Sequence, residues 1–171
     1  MKKIVITGPE STGKTSIAGY LSGTYKVPVV NEFAVDYLHG TGGRYTYRDL
    51  LKIGSGQIQS EDELIEKMEP EVIICDTDLI TIKIWSLIKY NKVNRTILKM
   101  INSRYYDHYI LCAPDIEWEF SEFRENPYDR DMLFDYYKKE LLAYKKNFQI
   151  LKGQGENRIK NAKIIFEKML Y

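Results

Sequence analysis

Residues 8–15 read Gly-Pro-Glu-Ser-Thr-Gly-Lys-Thr, a fit to G-x-x-x-x-G-K-[ST] at every fixed position. The octet follows a short apolar run, Lys3–Thr7, and precedes a helical pattern over Lys14–Leu21. With glycine at about 7% of residues, a chance match in this setting is rare. The residue types have a physical logic. Glycines let backbone N–H groups turn inward around phosphate oxygens. The helix N-terminus adds partial positive charge. Lys14 is expected to reach the β and γ phosphates, and the Thr15 hydroxyl to ligate Mg²⁺. The expected ATP-binding residues are Gly8, Pro9, Glu10, Ser11, Thr12, Gly13, Lys14, Thr15 and the adjoining Ser16.

Such a loop needs a strand before it and a helix after it, and the rest of the chain continues that alternation. Val27–Asn31, Val72–Asp76, His108–Cys112 and Phe148–Leu151 are further candidate strands. Helical patterns cover Glu32–Leu38, Leu79–Tyr90 and Gly155–Leu170. Thr46-x-x-Asp49 is a capping box for a helix running to about Met68. Asp78 and Asn94 are further N-cap candidates, the latter for a short helix to about Asn102. Asn126-Pro127 predicts the start of a helix running to about Lys146. Gly54 and Gly56 fall inside the helix that ends near Met68, where each costs roughly 1 kcal/mol relative to Ala. Either that helix breaks there or something approaches its backbone closely. The pattern predicts an α/β fold with a parallel sheet, in one domain spanning 1–171.

Composition narrows the class. The 25 Lys+Arg and 24 Asp+Glu give a net charge of +1, which argues against a nucleic-acid module held by bulk charge. No apolar run reaches the roughly 18 residues of a membrane span. The N-terminal apolar stretch is too short for a signal peptide and runs into the glycine loop. Cys75 and Cys112 each end an apolar run and read as buried, reduced thiols. His39 and His108 lack ligand-like spacing. The expected compartment is the cytoplasm.

Several carboxylates stand at strand ends, where ligands of parallel sheets bind. Asp76 follows four apolar residues and is expected beside the phosphate loop, holding Mg²⁺; the bland alternative is a buried, hydrogen-bonded Asp. Asp78 is either a simple cap or a site residue. Glu32 and Asp36, four apart, are candidates to orient an attacking hydroxyl and accept its proton. The alternative is a solvated pair. After the fourth strand, Trp118 through Arg130 mixes aromatic and charged residues and predicts a flap. Arg124 and Arg130 would contact the transferring phosphate, unless they pair with nearby acids. Gly153-Gln154-Gly155, a weaker signal, would border an adenine pocket.

Five blocks in order resemble the ribosylnicotinamide kinase domain of NadR-type NAD-biosynthesis proteins and their small stand-alone relatives. They are 8–15, Asn-Glu-Phe-Ala-Val-Asp-Tyr at 31–37, Ile-Gly-Ser-Gly-Gln at 53–57, Asp-Thr-Asp-Leu-Ile-Thr at 76–81, and Trp118 through Arg130. The resemblance covers nearly the whole chain. It implies a P-loop NTPase fold of nucleoside/nucleotide-kinase type, with a five-stranded parallel sheet, helices on both faces and a flap after the fourth strand. It also implies ATP- and Mg²⁺-dependent phosphorylation of the 5′-hydroxyl of nicotinamide riboside. Within these blocks Asn31, Glu32, Asp36, Gln57, Asp78 and Trp118 are expected to meet the acceptor. The catalytic expectation rests on Lys14, Glu32, Asp36, Arg124 and Arg130, and the metal expectation on Thr15 and Asp76. The adenylyltransferase domain of the larger proteins has no counterpart in these residues.

Three positions depart from the family. Asn31 replaces a Trp that would stack on the substrate ring. Val35 replaces an Arg, and Ser121 an Asp; one lost charge of each sign suggests that the two pair in the family. A kinase for another nucleoside and a regulatory P-loop ATPase are the alternative functions. A Ras-like switch is disfavoured because Asn91-Lys92-Val93-Asn94 lacks the Asp of N-K-x-D. A AAA+ motor is disfavoured because the chain is short for an added helical lid domain. The expected partner is a small nucleoside-like molecule, with no nucleic acid and no membrane; the oligomeric state is open. Of the 14 tyrosines, Tyr37, Tyr45, Tyr47 and Tyr128 are expected near the acceptor, and Tyr136, Tyr137 and Tyr144 in helix packing.

Overall fold

The computed structural model describes residues 1–121 and 128–170. In chain order these form β1 (Lys2–Thr7), α1 (Lys14–Tyr25), β2 (Val29–Val30), α2 (Phe33–Thr41), α3 (Tyr47–Met68), β3 (Val72–Asp76), α4 (Leu79–Tyr90), α5 (Arg95–Ser103), β4 (His108–Cys112), α6 (Arg130–Ala143), β5 (Phe148–Leu151) and α7 (Gly155–Leu170). The strands make one parallel sheet in the order β2-β3-β1-β4-β5.

Strand alternation divides the core in two. Ile4 and Ile6 of β1, Ile74 of β3 and Ile110 of β4 pack with Ile17 and Leu21 of α1 and Phe166 of α7. Val5, Cys75 and Tyr109, one residue out of phase, pack with Ile53 of α3, Ile80 of α4 and Leu133 of α6. A period of two thus sends successive residues to opposite faces, each covered by helices. Both cysteines are buried free thiols, as expected, and burial pushes the Cys112 thiol up to about 11.

Local signals set most element ends. Asp49 Oδ2 accepts from the Thr46 backbone N–H at 2.8 Å, closing the expected capping box. Asp78 Oδ1 caps α4 through the Ile80 N–H at 3.1 Å, and Asn94 Oδ1 caps α5 through the Thr96 N–H at 2.8 Å. β2 is shorter than expected: only Val29 and Val30 pair with β3, because Pro28 has no N–H to add to the ladder. The expected helix start at Asn126-Pro127 lies outside the described residues, and α6 begins at Arg130. No helix among the described residues is long and apolar enough to cross a membrane.

The two glycines of α3 do not break it; they admit neighbours. A Cβ on Gly56 would lie 2.3 Å from the Phe33 ring, and one on Gly54 3.1 Å from Leu79. Next to Gly56, buried Gln57 accepts from the Phe33 N–H at 2.8 Å and donates to the Asn31 carbonyl at 3.3 Å. The middle of α3 therefore fixes the β2–α2 junction, where Glu32 sits.

β1 and β3 are direct neighbours with Ile6 opposite Asp76. Their carboxyl ends deliver residues 8–15 and Asp76 side by side.

Candidate active site

A cleft of about 770 Å³ opens over the carboxyl ends of the strands. Residues 8–17 form one side of it. Gly8 has φ +136°, and a Cβ there would lie 2.7 Å from the Cys112 carbonyl oxygen. Only glycine lets the loop pass that close to β4. Gly13, at φ 72°, leads into α1, which has no side-chain cap and no acidic residue in its first turn. Its first N–H groups and its positive dipole end are thus left to an anion. The Pro9 carbonyl accepts from both the Thr12 hydroxyl and Lys14 Nζ, each at 2.8 Å.

Beside this loop the Thr15 hydroxyl donates to Asp76 Oδ2 at 2.6 Å. The other oxygen, Asp76 Oδ1, is buried and has no hydrogen-bond partner. A buried carboxylate oxygen left without a partner is costly, and a hydroxyl next to a carboxylate is the hard-oxygen donor set that Mg²⁺ takes. Thr15 and Asp76 therefore fit the expected metal. Burial raises the Asp76 carboxyl, while the Thr15 hydrogen bond and Lys14 oppose the shift. No cluster of His, Cys, Asp and Glu suited to a metal occurs among the described residues. An ion here would draw its other ligands from phosphates and water.

Glu32 lines the same cleft from the N-terminus of α2. Burial raises its carboxyl to about 7; Lys14 pulls it down, and Asp76 and Glu10 push it up. A carboxylate poised near neutral pH, in one cleft with Lys14, has the chemistry of a general base. The wall around it comes from three helix faces: Val35 and Leu38 of α2, Ile84 and Trp85 of α4, Leu133 and Tyr137 of α6.

Other expected residues lie elsewhere. Asp36 is exposed and does not line the cleft; Glu32 is the extended N-cap of α2 and not a helical residue, so the i, i+4 relation does not place Asp36 beside it. Asn31 is exposed and outside the cleft, and Gln57 is the buried brace described above. Asp78 is also buried and outside the lining. It caps α4 and accepts from Tyr109 Oη at 2.9 Å; burial holds its carboxyl up, to about 6. Trp118 lies beneath Arg130, whose guanidinium carbon is 5.7 Å from the indole centroid. Arg130 Nη1 donates to the carbonyls of Ser11 at 3.1 Å and Ile116 at 2.9 Å. Arg130 does not line the cleft; it latches the chain after β4 to the phosphate loop. The Glu119 N–H donates to Ser11 Oγ at 2.8 Å and adds to the same latch. Arg124 lies outside the described residues. Val35 and Ser121 line the one cleft, and Gln154 and Gly155 line its far end.

Arg158 is a site residue that sequence reading missed. It is buried in the first turn of α7 yet lines the cleft. Its guanidinium donates to the carbonyls of Thr12 at 2.8 Å, Ala113 at 3.1 Å and Gly153 at 3.0 Å, and pairs with Asp115 at 2.6 Å. One side chain thereby ties the phosphate loop to the ends of β4 and β5. An arginine shortly after Gly-x-Gly was the available signal.

The chain belongs to the AAA domain family, whose profile matches residues 3–158. No curated protein matches it in sequence. Its fold superposes on that of NadR protein, solved in complex with NR, with a TM-score of 0.83 at 17% identity, over 99% of this chain and 50% of that one. It thus spans about half the length of that relative. Deoxyadenosine kinase from M. mycoides with bound dATP gives 0.59 at 16% identity, over 100% of both chains. Thymidylate kinase from Ehrlichia chaffeensis gives 0.63 at 17%, over 99% and 98%. The expected P-loop fold of nucleoside/nucleotide-kinase type is therefore the observed one. The described residues form the sheet, its flanking helices and their connections.

Proposed function

We propose that this P-loop domain, acting over residues 1–171 as one unit in the cytoplasm, transfers the γ-phosphoryl group of ATP to the 5′-hydroxyl of a nucleoside. Nicotinamide riboside, giving its mononucleotide, is the first candidate. The observation that carries the proposal is the placement of Glu32 in one cleft with Lys14 and Thr15, the Thr15 hydroxyl donating to the buried Asp76 carboxylate behind it. A P-loop switch needs only the phosphate side. A base of raised pKa opposite an apolar wall is what an organic acceptor needs.

Glu32 would take the proton of the attacking hydroxyl as its oxygen bonds to the γ-phosphorus and the bond to the β-bridging oxygen breaks, releasing ADP. Lys14 would leave the Pro9 carbonyl for phosphate oxygens. Bound Mg²⁺ would neutralise charge on the β and γ phosphates, held by Thr15 and Asp76. Arg158 would keep the loop rigid while the phosphates bind. The likeness to NadR protein in complex with NR supports the candidate acceptor; Asn31, outside the cleft, favours a test against other nucleosides.

The purified protein should release ADP from ATP-Mg²⁺ only when a nucleoside is added, with nicotinamide riboside compared against adenosine, deoxyadenosine and thymidine. Lys14→Ala should lower kcat/KM by about a thousandfold or more. ADP release indifferent to every acceptor would make the chain a regulatory ATPase.

A further inference from the structure

We propose that Trp85 is the surface on which the planar ring of the acceptor stacks, and that Tyr45 is the residue that positions it. The inference rests on the kinase reading above and names the group that recognises the acceptor.

Thr81, Ile84, Trp85 and Ile88 all line the cleft. Their spacing of i, i+3, i+4 and i+7 makes them one face of α4. Trp85 is the aromatic member of that face. Its one polar atom is already committed: Nε1–H donates to Tyr45 Oη at 2.6 Å. Tyr45 does not line the cleft. What Trp85 offers the cleft is therefore π surface and C–H edges, with no donor left for a ligand. Val35, Leu38 and Ile84 continue the apolar wall. The chemistry that fits such a wall is a flat heteroaromatic ring, with its sugar turned toward Glu32.

The indole is held in place. The Tyr45 and Trp85 rings meet edge to face with centroids 4.6 Å apart. Lys89 Nζ lies 2.6 Å from the same Tyr45 hydroxyl and 3.9 Å from the centre of its ring. The Tyr90 hydroxyl donates to the Tyr45 carbonyl at 3.4 Å. A ring fixed this way stacks without losing much freedom on binding. Position 31, where the resembling family carries its aromatic residue, is Asn here and lies outside the cleft. In this chain the ring surface comes from α4 instead.

The test uses tryptophan emission together with steady-state kinetics, because the chain has only two tryptophans, 85 and 118. Nicotinamide riboside and adenosine are the probes. In the Trp118→Phe protein a bound probe should quench the emission of Trp85, and in Trp85→Phe the quench should vanish. Trp85→Ala should raise the acceptor KM about tenfold or more, with the KM for ATP unchanged, and Trp85→Phe should recover most of the loss. Tyr45→Phe should raise the acceptor KM less. A quench without turnover would support the stacking surface and sink the kinase reading. Turnover with an unchanged acceptor KM in Trp85→Ala, or a quench that persists in Trp85→Phe, would overturn the stacking surface and leave the kinase reading standing. No binding of either probe by calorimetry would overturn both.

Discussion

The side of the cleft proposed for phosphate is made of backbone, and the side proposed for the acceptor is made of side chains. Residues 8–15 follow one another along the chain, and on the proposed reading their N–H groups would hold the phosphates. The acceptor wall is assembled from α2, α4 and α6, whose lining residues stand up to about a hundred positions apart, Val35 and Tyr137 among them. A backbone site is fixed by the conformation of one short loop. A side-chain site is fixed by how three helices pack, so it can change its ligand one residue at a time. The phosphate side should therefore fail sharply under substitution, and the acceptor side by degrees.

Four substitutions test that contrast, in falling order of effect. Glu32→Gln, the one acceptor-side change that touches the chemistry, should lower kcat about a hundredfold or more. With Glu32 raised to about 7, a base must lose its proton to act. The wild-type kcat/KM should therefore climb with pH through about 7 and level off above it. A pH–rate profile in which Glu32→Gln keeps that limb would move the base elsewhere.

Gly8→Ala tests the backbone side. Its Cβ would meet the Cys112 carbonyl at 2.7 Å on a left-handed backbone, costing about 1–3 kcal/mol of stability. ATP affinity should fall with it, as measured by calorimetry and thermal melting. Gln57→Ala leaves the Phe33 N–H unpaired, at a cost of about 1–3 kcal/mol at the upper limit. It should lower kcat through Glu32 while the KM for ATP holds, a split that steady-state assays read directly. Asp36→Asn, on the exposed side of α2, should change kcat by no more than about twofold. A large loss there would bring Asp36 back into the reaction.

The same contrast explains what could be read from the sequence. The phosphate loop, the strand ending at Asp76 and the alternation of elements are local, and local spacing reports them. The capping signals at Thr46, Asp78 and Asn94 are local too, and each is made. The acceptor side depends on which face of a helix meets which neighbour. From spacing Glu32 is the first candidate base and Asp36 the second; only the fold shows that Asp36 is exposed and outside the cleft. Gln57 belonged to a recognisable block, but its work is to hold backbone. Arg130 carries a charge suited to phosphate and spends it on two carbonyls. Tyr137 packs in the core as its helix position predicts, but that it and Trp85 also line the cleft is not legible locally, because the cleft is built from distant segments. Tyrosine use divides similarly: Tyr106 and Tyr109 bury their hydroxyls against Glu61 and Asp78, partnerships no spacing announces. Tyr128, expected near the acceptor, is exposed.

Lys14 gives the pocket a threshold. Its ammonium rests on the Pro9 carbonyl at 2.8 Å, so an arriving anion competes with the loop's own oxygen. A charged hydrogen bond of this kind is worth about 1.5–3 kcal/mol, roughly a tenfold or greater handicap. A lone chloride or a single weak contact cannot easily recover it; a polyphosphate that also meets the N–H groups of the loop can. On the proposed reading the resting loop would filter by valency, passing over simple anions and answering to a chain of phosphates.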